Sequence, residues 1–246
     1  MPGWLAGRAR GFCEKHMLTV STCASLSTSL PALHVPTSGR AAVISSTWSL
    51  SGDTEGGLPL HAAAANNKLE QLQRLLDAHP DGAKMATPGG RLPLHVAAAK
   101  SAPAELVQLL LTAHPDGARA IDIGGRLPLH HAASRRAPAE VVRLLLAAHP
   151  NGAKAMNSGG NLPLHYATWD RAPVEVVRLL LSAHPDGART TNSGGSLPLH
   201  YAAYRDAPVA VVRLLLDTHP DGAKASNRRG SLPLHHAAYS NAPKEV

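Results

Sequence analysis

Fifteen histidines stand among the 246 residues of this chain, and imidazole can bind a metal, shuttle a proton or hold a turn. Eleven of them belong to two short motifs. Leu-Pro-Leu-His ends at His61, His95, His130, His165, His200 and His235, and His-Pro-(Asp/Asn)-Gly-Ala begins at His79, His114, His149, His184 and His219. A metal site needs three or four ligands converging on one point. These histidines are dealt out singly at intervals of about 35 residues, so they are expected to fix turns through side-chain hydrogen bonds, with no metal bound. The pairs His130-His131 and His235-His236 do not change this, because neighbours on a helix point to different faces. Asp81, Asp116, Asp186 and Asp221 each sit between Pro and Gly, the place of a turn former. No Gly-rich loop with a Lys, no His-Glu-x-x-His and no Ser, Cys and His set at workable spacing is present. The expectation is a chain that is not an enzyme, with no catalytic residue and no cofactor. Cys13 and Cys23 are the only cysteines. They form no CxxC pair, which indicates neither a disulfide framework nor a zinc site and favours a reducing, intracellular compartment, cytoplasmic or nuclear.

The intervals between the Leu-Pro-Leu-His copies are 34, 35, 35, 35 and 35 residues, and the second motif keeps a constant 35. Two independent markers in phase define a repeat protein. In the unit that begins at Arg126, proline follows Leu127 where a first helical position tolerates a missing N–H. A short Ala-rich helix follows and ends near Ala137-Pro138. A second helix is expected from Pro138 to about Ala148, with Glu140 in the first turn, where the helix dipole favours an acid. Val141, Val142, Leu144, Leu145 and Leu146 give it a broad apolar stripe. Pro150 stops it, Asn151-Gly152 turns the chain, and Asn157-Ser158-Gly159-Gly160 forms a tight reversal into the next unit. One unit cannot bury its own stripe, so the units must stack into a quasi-one-dimensional array.

Pro-Leu-His-x-Ala-Ala, a Val-Val-x-Leu-Leu-Leu helix and a glycine-bearing hairpin tip together resemble the ankyrin repeat, over residues 57 to 246. The resemblance implies an all-α fold, an ankyrin-like solenoid of stacked helix-turn-helix repeats joined by hairpin-like loops. The units fall at about 57–90, 91–125, 126–160, 161–195 and 196–230, with a partial copy at 231–246. The sequence departs from the family systematically. Leu replaces the family's Thr before Pro-Leu-His (Leu92, Leu127, Leu162), so the hydroxyl that helps anchor the turn and the histidine must be replaced by another polar arrangement. His-Pro-Asp-Gly replaces the glycine that ends the second helix and is one residue longer. Most units carry one more residue between the two helices. Two one-residue loop insertions stretch the family's 33-residue unit to 35, and the first unit, which lacks the inter-helix insertion at Asn66-Asn67-Lys68, has 34.

Aromatic residues are only 3% of the chain, too few for one thick globular core, and their placement is selective. In residues 57–246 all of them lie in first helices: Tyr166, Trp169, Tyr201, Tyr204 and Tyr239. Trp169, Tyr204 and Tyr239 share one slot, four residues after the marker histidine, where earlier units carry Ala65, Ala99 and Ser134. The next slot holds Lys100, Arg135, Asp170, Arg205 and Ser240. The family resemblance implies that these two slots face a concave groove where partners bind. Aromatic and Arg side chains are the usual anchors of binding hot spots. The candidate partner-binding set is therefore Arg135, Trp169, Asp170, Tyr204, Arg205 and Tyr239; packing of the rings against one another is the alternative. Tyr166 and Tyr201, one residue after the histidine, are expected between layers.

The formal charge is +7, yet residues 57–246 mix 20 Lys and Arg with 14 acidic residues and contain no basic run of five. That argues against nucleic acid, which selects concentrated charge. The expected partner is another protein, and the chain is expected to be monomeric and without a membrane span. An interaction module of a longer enzyme or multidomain protein is the second reading. Residues 1–52 are rich in Ser, Thr, Gly and Ala, with Glu14 the only acid. They read as a disordered segment ahead of a repeat domain at 53–246, or alternatively as an organellar transit peptide carrying Arg8 and Arg10. Leu30-Pro31-Ala32-Leu33-His34 is a coincidental or decayed echo of the marker. Val246 aligns with Val141, where a second helix begins, so the last interface is expected to be exposed, or the chain to be a fragment of a longer array.

Overall fold

In the computed structural model residues 58–135 and 137–240 are described, and all of them fall within Val43–Val246, one of two compact units of the chain. The expectations for residues 1–52, for the echo at residues 30–34 and for the helix start at Val246 lie outside the described residues. Among the described residues eleven α-helices follow one another, alternating short and long: α1 (Pro59–Ala65), α2 (Leu69–Ala78), α3 (Pro93–Ala99), α4 (Ala104–Ala113), α5 (Pro128–Ser134), α6 (Ala139–Ala148), α7 (Pro163–Trp169), α8 (Val174–Ala183), α9 (Pro198–Tyr204), α10 (Val209–Thr218) and α11 (Pro233–Ser240). No strand occurs among the described residues. The first helices of the units are the odd-numbered ones and the second helices the even-numbered ones.

The insertions sit where the repeat arithmetic requires. Every second helix has 10 residues, while the loop after α1 is one residue shorter than those that follow. The His-Pro-Asp-Gly segment is more than a turn. Pro80–Lys84, Pro115–Arg119, Pro150–Lys154, Pro185–Ala188 and Pro220–Lys224 are short 3-10 helices. Proline at their first position loses no hydrogen bond, and the preceding histidine carbonyl accepts from the glycine N–H, as in Gly82 to His79 at 2.9 Å.

Burial follows the apolar pattern. Leu72, Leu106, Leu145, Leu180 and Leu215 from second helices meet Leu60, Leu94, Leu129, Leu164 and Leu199 from first helices in one continuous core. Ala97, Ala132, Ala167 and Ala202 are wholly buried on the short helices. A methyl side chain lets backbones approach, and the first helices pack on one another more closely than the second helices do. The first helices therefore line the inner side of the stack.

The leucine that replaces the family's threonine does not leave the histidine unanchored. The Leu92 N–H donates to His95 Nδ1 at 3.1 Å, and the same bond recurs from Leu127 to His130 at 3.0 Å and from Leu162 to His165 at 3.1 Å. The leucine side chains are themselves buried. With Nδ1 accepting, Nε2 carries the proton and donates forward to the next unit. His95 reaches the Arg126 carbonyl, His130 the Asn161 carbonyl and His165 the Ser196 carbonyl, each at 3.1 Å. Burial pushes all three imidazoles down to about 4, against the raising effect of the carbonyl acceptors. The second set of histidines departs from expectation. His114, His149, His184 and His219 are half-buried helix caps whose rings lie against the following glycine, and only their backbone N–H groups bond back into the helix. They hold the turn by ring contact and not by side-chain hydrogen bonds.

Each connecting loop closes as a hairpin. The Asn157 N–H donates to the Asn161 carbonyl at 3.0 Å and the Gly160 N–H to the Asn157 carbonyl at 2.9 Å. Successive tips are joined by one backbone bond per layer, Ser158 N–H to the Gly124 carbonyl at 3.0 Å being typical. Gly160 has φ +72°, and a Cβ there would lie 2.8 Å from the Ser193 nitrogen of the next hairpin. Both the left-handed backbone and the close approach require glycine at that position.

Candidate partner-binding face

The selected aromatic slot is the last turn of each first helix. Trp169 and Tyr204 are the closing residues of α7 and α9, and Tyr239 lies in α11. Because this slot recurs in every unit, the three rings fall into one column. Trp169 and Tyr204 are nearly parallel, with centroids 5.7 Å apart and planes 21° apart. Tyr204 and Tyr239 repeat the arrangement at 6.2 Å and 18°. Offset stacking of this kind adds about 0.5–1.5 kcal/mol per pair beyond burial. Packing of the rings on one another is thus real, but it does not seal them. Trp169 and Tyr204 are half-buried, and Tyr239 is 64% exposed.

The neighbouring slot caps each helix. Arg205 lies with its Cζ 4.8 Å from the Trp169 ring centroid and donates through Nε to the Trp169 carbonyl at 2.9 Å. Asp170 accepts from the Ser134 hydroxyl at 2.7 Å, which ties the α7 layer to the α5 layer. Arg135 is exposed, and its carbonyl accepts from Ser101 Oγ at 2.9 Å. Trp169, Asp170, Tyr204, Arg205 and Tyr239 therefore share one surface across three layers, with Arg135 one layer back.

Tyr166 and Tyr201 do lie between layers. Their rings meet His130 and His165 of the preceding unit edge to face, at 5.9 Å in both cases. Each hydroxyl accepts from a hairpin asparagine, Asn157 Nδ2 at 2.8 Å and Asn192 Nδ2 at 2.6 Å. That polar station exists in every unit from the second onward, and sequence reasoning missed it. Asn227 donates to His236 Nε2 at 3.3 Å. In the unit with Asp122, His131 Nε2 donates to Asp122 Oδ2 at 3.0 Å. Asp122 also accepts from the Arg126 amide and guanidinium, each at 3.0 Å, and its side chain is fully covered. Burial alone would raise the carboxyl, but donation from Arg126 and His131 holds it below the usual range. The signal was available, since an Asx residue and a His or Tyr recur nine positions apart. A second feature went unread: Ile121, Ile123 and Met156 are exposed on the hairpins, in slots that later units fill with Thr191, Ser193 and Ser226.

Charge divides by side of the stack. The second helices and 3-10 turns, residues 69–84, 104–119, 139–154, 174–189 and 209–224, hold nine Lys and Arg against ten Asp and Glu. Arg143 there bridges Glu140 at 3.1 Å and Glu175 at 2.9 Å. The remaining described residues, on first helices, inter-helix loops and hairpins, hold nine basic residues: Lys68, Lys100, Arg135, Arg171 and Arg205, with Arg91, Arg126, Arg228 and Arg229 in the hairpins. Only Asp122, Asp170 and Asp206 oppose them. Among the described residues no group of three or more His, Cys, Asp and Glu could hold a metal ion, and no helix is long and apolar enough to cross a membrane.

A stack of helical repeats is what the family comparisons also identify. Models described as ankyrin repeats match residues 94–191 and 174–246, and another such model matches residues 60–111. The chain belongs to the ankyrin repeat family, whose repeats generally serve as non-catalytic modules for protein–protein interaction. No curated protein matches the sequence. Among solved structures, it resembles a chain from the Bd0816 predatory endopeptidase of Bdellovibrio bacteriovorus in complex with immunity protein Bd3460. The TM-score is 0.63 at 19% identity, covering 76% of this chain and 94% of the other. At that identity the likeness concerns the fold.

Proposed function

We propose that this chain is a monomeric, non-catalytic binding scaffold whose repeat domain, residues 53–246, receives a partner protein on the inner, first-helix side. The anchors are Trp169, Tyr204 and Tyr239, flanked by Arg135, Asp170 and Arg205. The observation that carries the reading is the ring column. Three consecutive units place large aromatics in a slot where the preceding units have Ala or Ser, and the rings keep one edge in solvent. Folding alone does not require them there, since the same slot packs with alanine at Ala65 and Ala99. Aromatic and Arg side chains at the centre of a surface are the ones that dominate binding energy. A complex of an endopeptidase with an immunity protein is the setting in which a similar fold has been solved, consistent with use of such stacks as protein-binding surfaces.

Affinity capture with the full chain and with Tyr204→Ala and Tyr239→Ala tests the reading. Loss of a hot-spot ring weakens binding by about 2 kcal/mol or more, so partners held by the native chain should disappear from both variants while helicity is retained. Retention of the same partners by both variants would remove the column from the binding face.

A further inference from the structure

Resting on the reading that the partner docks on the ring column, we propose that what docks there is an acidic segment of the partner protein, its carboxylates held by Arg135, Arg171 and Arg205 around the rims of Trp169, Tyr204 and Tyr239.

The first argument is the geometry of the rings. Their planes are nearly parallel, and their centroids are 5.7 and 6.2 Å apart. The gaps between them are closed, because a flat guest inserted between two rings needs roughly twice the 3.4 Å stacking step of a duplex. A base therefore cannot interleave in the column, and sequence-independent nucleic-acid binding by aromatic platforms depends on such free faces. What the column offers is rims. An aromatic rim is the positive part of the ring quadrupole. The rims of Tyr and Trp also carry a phenol O–H and an indole N–H, which can donate to an anion.

The second argument is charge complementarity. Arg135, Arg171 and Arg205 are exposed and form no ion pair among the described residues. The acids of the same side are spent internally or outnumbered: Asp122 is covered by Arg126 and His131, and Asp170 accepts from Ser134. The opposite side is balanced in number, nine bases to ten acids, and Arg143 there bridges Glu140 and, in the next unit, Glu175. A carboxylate ligand thus meets a net excess of cations on the first-helix side only, nine against three acids among the described residues. Arg205 is the best placed of these, because its contact over the Trp169 ring and its bond to the Trp169 carbonyl hold the guanidinium beside the column before a ligand arrives, and preorganisation reduces the ordering cost of binding.

A peptide array graded in net charge, with Leu, Phe or Pro interspersed, is probed with the labelled full chain, and single-stranded DNA and RNA oligonucleotides are included. Arg135→Glu and Arg205→Glu are compared with Arg213→Glu, an exposed second-helix residue that carries the same change of charge on the other side. Retention should concentrate in the acidic peptides and fall about tenfold or more with Arg135→Glu or Arg205→Glu, corresponding to about 1.4 kcal/mol. It should be nearly unchanged with Arg213→Glu. Absence of retention, retention independent of peptide charge, equal loss in all three variants, or tighter binding of the oligonucleotides would each overturn the acidic-segment assignment. The docking face itself fails separately, in the capture experiment, if Tyr204→Ala and Tyr239→Ala keep their partners.

Discussion

Lowering the pH from 7 to 5 should unfold this array through three histidines that never touch a ligand. His95, His130 and His165 use Nδ1 as an acceptor for the leucine N–H, and a protonated imidazole has no acceptor. Burial holds each at about 4 in the fold, whereas an unfolded histidine titrates near 6.5. The unfolded chain therefore binds more protons throughout the window between these values. Stability is complete above pH 6.5, drains as the pH falls toward 4, and loses nothing further from these groups below that. At pH 5 the loss is about 2 kcal/mol per histidine, or about 6 kcal/mol for the three, which is comparable with the whole stability of an ordinary domain, about 5–15 kcal/mol. Near pH 5.5 these three contribute a slope of about 4 kcal/mol per pH unit, close to three protons taken up on unfolding, and His131, also held at about 4, adds to it in the same direction. Urea unfolding followed by helical circular dichroism at half-unit steps from pH 7.5 to 5 measures it. His130→Gln should lower stability at neutral pH yet flatten the slope by about 1.4 kcal/mol per unit, because one titrating site is gone. A slope near zero for the native chain between pH 6 and 5, or one that His130→Gln leaves unchanged, would refute the assignment of neutral, forward-donating histidines.

Other consequences are open to the same assay. Leu180→Ala, which removes a side chain only 2% exposed in the middle of the stack, should cost about 2–5 kcal/mol through the cavity it leaves. Gly160→Ala and Gly230→Ala share a left-handed backbone, with φ +72° and +73°. Only the first pushes its Cβ against the next hairpin, so it should cost at least about 1 kcal/mol more than the second. Asp122→Ala strands the Arg126 guanidinium and His131 and should cost about 3 kcal/mol. Asp122→Asn should cost less, because Asn227 makes the corresponding contact with His236.

The stacking of helix pairs was legible because periodicity is a property of the chain itself. A 35-residue phase in two markers fixes which residues are equivalent, and Leu, Val and Ala at equivalent positions fix the core. The insertions too were legible, since a residue added inside a helix would rotate every later side chain off its face. What stayed hidden depended on contacts between units. Nothing in the spelling of His114 tells that its ring lies against Gly117 while His95 bonds into the next unit. Both are histidines at a fixed period, and the difference arises from one facing the hairpin and the other the 3-10 turn. The Asp122 cluster was missed for the same reason, as His131 lies in a different element and the equivalent residues of the array, Thr87, Asn157, Asn192 and Asn227, are neutral. The ring column was legible as a slot. Its closed interior became visible only when the 18–21° planes were seen, and it changes what the slot can hold.

From His95 to His200 each histidine of the Leu-Pro-Leu-His motif reaches with Nε2 toward the carboxyl-terminal side. A unit's donor is thus satisfied only once the following 31 or so residues have folded, as from His95 to Arg126 and from His130 to Asn161. During synthesis the newest unit is always the unfinished one, and each arrival locks its predecessor. The polar links of the array are thus closed in one direction, as a zipper is, each by the layer that follows it.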